Sequence, residues 1–528
     1  METPLTPLDF ARRARRLYAD REAVVDGALR LTYGEFFARC DRWSKALQGL
    51  GVAQGDRVAY IAPNTHAQLE GFYAVPQIGA ILVPINYRLT ADDFAYIIGH
   101  SGAMVVCVHD DYLALVESIR ERVPGVRHFV ALEGALEGAS AGWIDYEATL
   151  AAAGTDFAPA TIGEGDLITI NYTSGTTARP KGVMTTHRNA YMNSVGTMIH
   201  VHLTPADRYL WTLPMFHVNG WTFVWTITAV GGTHICLRKI DPVPVYRLIA
   251  EERVSILCAA PTVLIGLANG PTEARRAVPR GVRVLTAGAP TAAATIERVE
   301  GELGWEITHV YGLTETAPLI LVCEPRLEHA EQPGGERARL KARQGVELIT
   351  SGELRVVDEG DNEVPRDGQT VGEIVVRGNV VMAGYYDDPD ATATAFRGGW
   401  FHTGDAAVVH PDGYAEIRDR LKDVIISGGE NISSVEVEGV LLRHPAVQEA
   451  AVVGLPDDRW GESPHAFIIR QPGVAEVTEE ELRRFTRDNL AHFKVPQRFH
   501  FVEELPKTAT GKIQKFVLRG GQSGIARQ

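Results

Sequence analysis

Tyr172-Thr-Ser-Gly-Thr-Thr-Ala-Arg-Pro-Lys-Gly182 gathers four hydroxyl side chains (Thr173, Ser174, Thr176, Thr177), a flexible Gly175 and a lysine, Lys181, held between Pro180 and Gly182. It follows Asp166-Leu-Ile-Thr-Ile-Asn171, whose alternation of polar and β-branched residues predicts a strand. A loop of this kind offers backbone N–H groups, hydroxyl donors and one mobile cation to the oxygens of a polyphosphate. No Gly-x-x-x-x-Gly-Lys-Ser/Thr spacing occurs in it, so it is not a Walker A loop. The same residues also make an ordinary hydroxyl-rich surface turn, and the choice between the two rests on what else the chain carries.

Upstream of this loop the chain alternates between strand and helix patterns. Residues 23–32 read as a hairpin turning at Asp26-Gly27, and Thr32 caps a helix whose Phe36, Phe37, Cys40, Trp43, Leu47 and Leu50 recur at helical spacing until Gly51. Strand-like Arg57–Ile61, a helix around Leu69–Gln77, strand-like Ala80–Ile85, a helix capped by Thr90 and the apolar strand Met104–Val108 follow. Downstream, Tyr209–Leu213, His234–Leu237, Val254–Cys258 and Val282–Ala287 continue the rhythm. This α/β alternation predicts parallel sheets covered by helices. From about Leu348 turn signals separate Glu353–Val357, Gly372–Arg377 and Tyr414–Ile417, which predicts antiparallel sheet, drawn as a small β-barrel. After Arg418–Asp423 a second unit of about 105 residues reads as α+β, with strands at Val424–Ile426, Val447–Val453, His465–Ile469 and Arg498–Val502 and helices at Ser434–Leu442 and Glu479–Asn489. The expected division is 1–418, a hinge at 419–423, and a small mobile C-terminal domain at 424–528.

Composition narrows the function classes. With 528 residues, 45% hydrophobic and 22% charged, the chain has the make-up of a globular protein of two or more domains. A formal charge of −14 argues against nucleic acid as a partner, so a bound phosphate needs a local cation such as Lys181. No apolar run reaches the roughly 18 residues of a membrane span, and Met1-Glu-Thr-Pro-Leu5 lacks a signal peptide's apolar core. The basic run Ala11–Leu17 reads as the solvated face of a packed helix. Five scattered cysteines without C-x-x-C or metal-ligand spacing are expected to be buried thiols of a cytoplasmic protein.

Five further stretches carry chemistry. Trp211–Trp221 sets His217 beside Gly220 and aromatic bulk, suited either to core packing or to an apolar wall with a carboxylate-orienting imidazole. Thr286-Ala-Gly-Ala-Pro290 places Gly288 where a backbone edge approaches a flat ring closely. Tyr311-Gly-Leu-Thr-Glu-Thr316 supplies an aromatic face, hydroxyls and a carboxylate for a hard cation, and Phe401-His-Thr-Gly-Asp405 a carboxylate for two vicinal hydroxyls. Pro506-Lys-Thr-Ala-Thr-Gly-Lys-Ile513 puts Lys512 on a glycine-flexed loop, where an exposed lysine is by default merely solvated.

The order of Thr-Ser-Gly-Thr-Thr-x-x-Pro-Lys-Gly, Tyr-Gly-x-Thr-Glu, Thr-Gly-Asp, Arg-x-Lys-Asp, Gly-Gly-Glu-Asn and Pro-Lys-Thr-x-x-Gly-Lys resembles the adenylate-forming superfamily over nearly the whole chain. Pro214–His217 and Ser427–Ile432 look most like its acyl-CoA synthetase branch, and their fuller forms like bacterial medium-chain and 3-methylmercaptopropionate–CoA ligases. The resemblance implies an ATP-dependent ligase that joins a carboxylic acid to coenzyme A through an acyl-adenylate, with Mg²⁺ as cofactor. It implies Thr173, Ser174, Gly175, Thr176, Thr177 and Lys181 on the phosphates, and Tyr311 on adenine with Gly288, Ala289 and Pro290 along its edge. Asp405 and Arg420 would hold the ribose, Thr314 the α-phosphate, and Glu315 with Thr173 the metal. His217, Gly220, Trp221 and Ala287 would line the acyl pocket, with Gly312 between that pocket and the adenine. Lys512 would stabilise the transition state, Lys422 would be the hinge, and Gly428, Gly429 and Trp460, with Phe493 and Lys494, would face coenzyme A.

One departure stands out: Ala178 replaces a glycine of many relatives, which bars easy positive φ there. A short- to medium-chain or sulfur-containing acid is expected before an aryl acid, and a homodimer is expected from the family alone. Alternatives are an adenylate former with another acceptor (amine, nitrite, oxygen or carrier protein) and a non-catalytic nucleotide binder. The latter would be expected to lack Lys512, Glu315 or Lys181, and all three are present.

Overall fold

The computed structural model describes residues 2–133, 142–173, 179–457, 459–474, 477–508 and 511–520. Local chemistry sets the first elements as expected. Thr32 Oγ1 accepts from Glu35 N at 3.2 Å while the Glu35 carboxylate accepts from Thr32 N at 2.8 Å, a capping box that starts helix Tyr33–Gly49. Thr90 and Asp93 repeat the device for helix Ala91–Ser101. The strand Ala103–Val108 is buried at all six positions, the signature of a central parallel strand.

Two large sheets form the body. One has eight strands in the order Gly384–Tyr385, Lys181–Thr186, Leu167–Thr173, Ile81–Ile85, Arg57–Ile61, Ala103–Val108, His128–Ala131 and Trp143–Asp145. The strands from Leu167–Thr173 onward run parallel. The second has nine strands, with Glu306–Gly312, Arg283–Thr286, Ile256–Ala259, Arg208–Leu210, Thr233–Ile235 and Glu22–Asp26 parallel at its centre. Loops leaving the carboxyl ends of these strands carry every motif singled out between residues 173 and 315, as open α/β sheets place their ligands.

Several expectations shift. The strand expected over Tyr209–Leu213 ends at Leu210, where the chain turns toward Pro214, and His234–Leu237 is a strand only over Thr233–Ile235. The region drawn as a small barrel is a four-stranded antiparallel sheet in the order Glu353–Val357, Gly372–Arg377, Phe401–Val409, Ala415–Arg420. Its edge strands do not pair with each other among the described residues; Ala415 bridges Gly345 instead. In the last unit, Ile425–Ser427 is one arm of a hairpin whose second arm, Glu430–Ile432, lacks apolar alternation and escapes sequence reading. Gly428 and Gly429, at φ +59° and +86°, make its turn. The strands Val447–Asp457 and Gly461–Arg470 are longer than expected, and helix Lys515–Gly520 was not foreseen. All five cysteines are free and buried, and among the described residues no helix is long and apolar enough to cross a membrane.

Charge is buried in the first sheet's helical cover. Glu70 is fully buried, taking Arg39 Nε at 2.6 Å and the Tyr146 hydroxyl at 2.5 Å. Arg39 also reaches Glu147 at 2.6 Å, and His66 lies between Asp26 (2.7 Å) and Glu147 (3.4 Å). Burial pushes His66 toward neutrality, but hydrogen bonds to the two carboxylates prevail and lift it to about 9. Removing one partner of such a pair leaves a buried charge uncompensated. Arg39→Met should therefore cost about 3–5 kcal/mol in urea unfolding, part of which Arg39→Met with Glu70→Gln should recover. Because His66 binds its proton more tightly folded than its ordinary 6.5, that contribution is complete below pH 6.5 and disappears as pH rises through about 9. Thermal stability should thus fall across pH 7–9.5 in the parent protein, with His66→Gln flattening the slope.

Candidate active site

Thr173 ends its strand and pairs in register with Lys181, so the phosphate loop is the connection between two antiparallel strands. Ser174, Gly175, Thr176, Thr177 and Ala178 lie outside the described residues. The Lys181 ammonium sits 4.7 Å over the ring of Tyr385 and 4.0 Å from Asp388. The Tyr385 hydroxyl donates to Glu315 at 2.9 Å, so one aromatic residue joins the loop lysine to the carboxylate expected to hold metal. Sequence reading missed both Tyr385 and Asp388. Gly384-Tyr-Tyr-Asp-Asp-Pro389 reads only as a turn, and nothing local marks which tyrosine faces Glu315.

Glu315 sits in the single turn Thr314–Thr316, where its carbonyl accepts from Met382 N at 2.8 Å. Gly312 before it has no room for a side chain: a Cβ there would lie 1.8 Å from the Pro318 carbonyl oxygen. Tyr311 is 8% exposed and donates its hydroxyl to Asp405 at 2.6 Å, while Arg420 Nε lies 3.0 Å from the other Asp405 oxygen. Asp405 and Arg420 face each other across neighbouring strands, and the carboxylate raises the guanidinium above its ordinary range. On the opposite wall Gly288, at φ +90°, has open space where a Cβ would stand, and a Thr286–Thr291 hydroxyl contact of 2.9 Å closes its loop.

Residues 218–222 form one left-handed turn: Val218, Asn219, Gly220, Trp221 and Thr222 all have φ between 45° and 65°. Each non-glycine residue in that region costs about 1–2 kcal/mol, and such strain survives only where packing over-determines it. All five residues are buried, and a Cβ on Gly220 would lie 2.4 Å from the Trp211 ring. His217 precedes the turn; burial, helped by the nearby Lys512 ammonium, pushes it down to about 4 and keeps it neutral. It can wall a pocket or share a neutral hydrogen bond, and it does not counter a carboxylate with charge.

Lys512 comes from nearly three hundred residues further along the chain. Its loop lies on helix Pro261–Ala268, where Thr262 Oγ1 donates to the Gly511 carbonyl at 3.2 Å. Gly511 has φ +83°, and a Cβ there would lie 2.2 Å from Thr262 Oγ1, so only glycine permits this approach. The lysine is reached by solvent through the cleft yet surrounded by protein. That enclosure, with Arg420 and Lys422 adding repulsion, lowers its ammonium to about 8. Lys512, His217 and the Asp405–Arg420 pair are thus brought together. Lys422, pushed down by burial and Arg420, lies just beyond that pair.

Gly428, Gly429 and Trp460 form a different corner. Gly428 N donates to the Trp460 carbonyl at 2.9 Å, a Cβ on Gly428 would meet the indole at 2.8 Å, and the indole is 45% exposed. Among the described residues no hydrogen bond or ion pair joins this corner to Lys512, Tyr311 or His217. Phe493 is exposed, and Lys494 is engaged by Glu436 at 2.7 Å. For Mg²⁺ the donor set is hard oxygen, Glu315 and the Thr173 hydroxyl, and no cluster of three or more His, Cys, Asp or Glu occurs among the described residues. That fits a cation held by one carboxylate and substrate phosphates, the usual arrangement for Mg²⁺.

Comparison with known proteins identifies the family. The AMP-binding enzyme family matches residues 10–386, and its C-terminal domain family matches residues 436–512. The chain is 42% identical to 2-methylpropanoate–CoA ligase CCL4 of Humulus lupulus, covering 99% of this chain and 96% of that protein. It is 43% identical to 4-hydroxybutyrate–CoA ligase 2 of Metallosphaera sedula, covering 98% and 94%. The anthranilate CoA ligase AuaEII in complex with anthranoyl-AMP superposes with a TM-score of 0.88 at 27% identity, over 98% of both chains. ATP-bound MatB from Rhodopseudomonas palustris gives 0.84 at 29%, again over 98% of both.

An amine lowered to about 8 is neutral in roughly a tenth of molecules at pH 7, on the order of a hundredfold more than an ordinary lysine. Timed labelling with an amine-directed reagent, read by peptide mass spectrometry, should show Lys512 reacting first, with a rate that titrates around pH 8. A midpoint near 10.5 would remove the electrostatic account of this lysine.

Proposed function

Since the chain belongs to the AMP-binding enzyme family, we propose that it is an ATP-dependent carboxylic acid–CoA ligase with the site residues assigned above. The observation that carries the assignment is the convergence of Lys512, from the far end of the chain, with His217 and the Asp405–Arg420 pair. In the first step a carboxylate oxygen attacks the α-phosphorus of ATP, and the bond to the β-phosphate bridging oxygen breaks to release pyrophosphate. The carboxylate is already a competent nucleophile at neutral pH, so the chain's task is positioning and charge stabilisation. Lys512 lies between acid and α-phosphate and binds the charge that develops on the transferring oxygens. Thr173 and Lys181 hold the leaving phosphates, Thr314 touches the α-phosphate, and Asp405 with Arg420 holds the ribose. Tyr311 and the Gly288–Pro290 backbone bound the adenine. Glu315 and Thr173 hold Mg²⁺, which when bound neutralises phosphate charge.

In the second step a thiolate sulfur attacks the acyl carbon of the mixed anhydride; the carbon–oxygen bond breaks, AMP leaves, and the thiol proton passes to solvent. Residues 419–423 serve as the hinge between a unit ending at 418 and a mobile one beginning at 424. Rotation there withdraws Lys512 and brings up the corner of Gly428, Gly429 and Trp460. The acid is aliphatic and short. Trp221, Trp211 and Trp225 crowd the turn after His217, and relatives act on 2-methylpropanoate and 4-hydroxybutyrate. Buried free thiols support a reducing cytoplasm, and a homodimer completes the proposal.

Pyrophosphate release across a panel of acids, with and without CoA, tests the reading. A short aliphatic acid should give CoA-dependent acyl-CoA, and Lys512→Ala should lower the adenylation rate by about 10²–10³. As pH rises through about 8 the required ammonium is lost, so kcat/KM should fall on the alkaline side. Pyrophosphate without thioester would leave adenylation standing and replace CoA by another acceptor.

A further inference from the structure

We infer that Asn219 is a positioning residue that bolts the acid-binding turn to the strand carrying the phosphate loop, so that the acid and ATP seats are one rigid body. The inference rests on the ligase reading above. Three buried side chains form a closed ring. Asn219 Nδ2 donates to Thr169 Oγ1 at 3.0 Å, Thr169 Oγ1 donates to Asn171 Oδ1 at 2.9 Å, and Asn171 Nδ2 donates to Asn219 Oδ1 at 3.1 Å. Every donor in the ring meets an acceptor, the bond from Asn171 Nδ2 to the Phe216 carbonyl selects its direction, and such a cycle strengthens each of its bonds. All three residues are 2% exposed or less, so no water substitutes for a lost member.

The placement gives the ring its consequence. Thr169, Asn171 and Thr173 alternate along one strand and share one face, so the ring occupies the face that ends in the phosphate-binding hydroxyl. Asn219 is the second residue of the left-handed turn, between His217 and Trp221. The second Asn171 N–H reaches the Phe216 carbonyl at 3.3 Å, so the strand grips the turn on both sides of His217. Asparagine suits the position twice: it tolerates φ of +55°, and its amide both donates and accepts. Without the ring the strand keeps, among the described residues, only the Asn171–Phe216 contact, before His217, and the strained backbone after it is free to relax.

Five proteins test the idea: wild type, Asn219→Ala, Asn219→Gly, the near-isosteric Thr169→Val, which cuts the ring without touching the turn, and the double variant Asn219→Ala/Thr169→Val. If wild type releases no acid-dependent pyrophosphate, the ligase reading fails first and separately. Given an active wild type, Asn219→Ala and Thr169→Val should each lower kcat/KM for the acid by ~10-fold or more, chiefly through a higher acid KM. Each should blur the ranking of acids and leave the KM for CoA unchanged. Asn219→Gly should be as defective as Asn219→Ala, although glycine accepts the backbone. The double variant Asn219→Ala/Thr169→Val should be no worse than the weaker single, since either change opens the whole ring. Rescue by glycine, additive losses, or lower thermal stability with acid KM and ranking intact would each overturn the inference.

Discussion

A cation held among cations governs this molecule. Lys512, although solvent reaches it, sits near Arg420 and Lys422 with protein groups around its ammonium, and its proton is correspondingly loose. That arrangement is tolerable because Asp405 and Asp423 stand close by, and it becomes favourable once a polyphosphate enters. The rest of the site serves this constraint. Glycines at 312 and 511 allow backbone approaches that any side chain would block, and the Tyr311–Asp405–Arg420 chain fixes the counter-charge in place. Tyr385 does for Glu315 what Tyr311 does for Asp405, tying a carboxylate to a defined position with one phenolic hydrogen bond.

Electrostatics far from the cleft follow a different logic. The Arg39–Glu70–Glu147–His66–Asp26 network is hydrogen-bonded throughout and screened from solvent except at Glu147, and it joins helices Tyr33–Gly49, His66–Ala74 and Tyr146–Ala152 to the tip of strand Glu22–Asp26. Its charges are neutralised within the fold, whereas Lys512 and Lys181 are the cations assigned to ATP in the proposed site. The contrast separates structural from functional charge without reference to sequence similarity.

Local signals made much of the fold legible in the sequence. Thr32 and Thr90 announce helix starts because capping acts within three residues, and Ala103–Val108 shows a central strand because burial on both faces leaves it no polar position. Motifs stand out in the sequence where chemical side chains are concentrated in a few consecutive positions, as at 311–315. What escaped depends on distance along the chain. The bond from Tyr385 to Glu315 spans seventy residues and the Asn171–Asn219 contact forty-eight, and neither end carries a local mark. Helical or strand periodicity says nothing of a left-handed turn, so the sequence marks Gly220 and Trp221 by composition but not the backbone that Val218–Thr222 adopts. The antiparallel sheet was drawn as a barrel because spacing of strands reveals their number and direction but not whether the edges meet.

The left-handed turn also bears on how such a site changes over evolutionary time. Because four side chains there occupy a backbone region that L-residues avoid, the segment is a reservoir of conformational energy at the place proposed for the acid. Substitutions that relax it are open to selection for robustness, and they disturb the same surface that chooses the substrate. Stability and selectivity are therefore negotiated at one address, and drift toward a new acid will tend to pass through variants whose melting behaviour has shifted first.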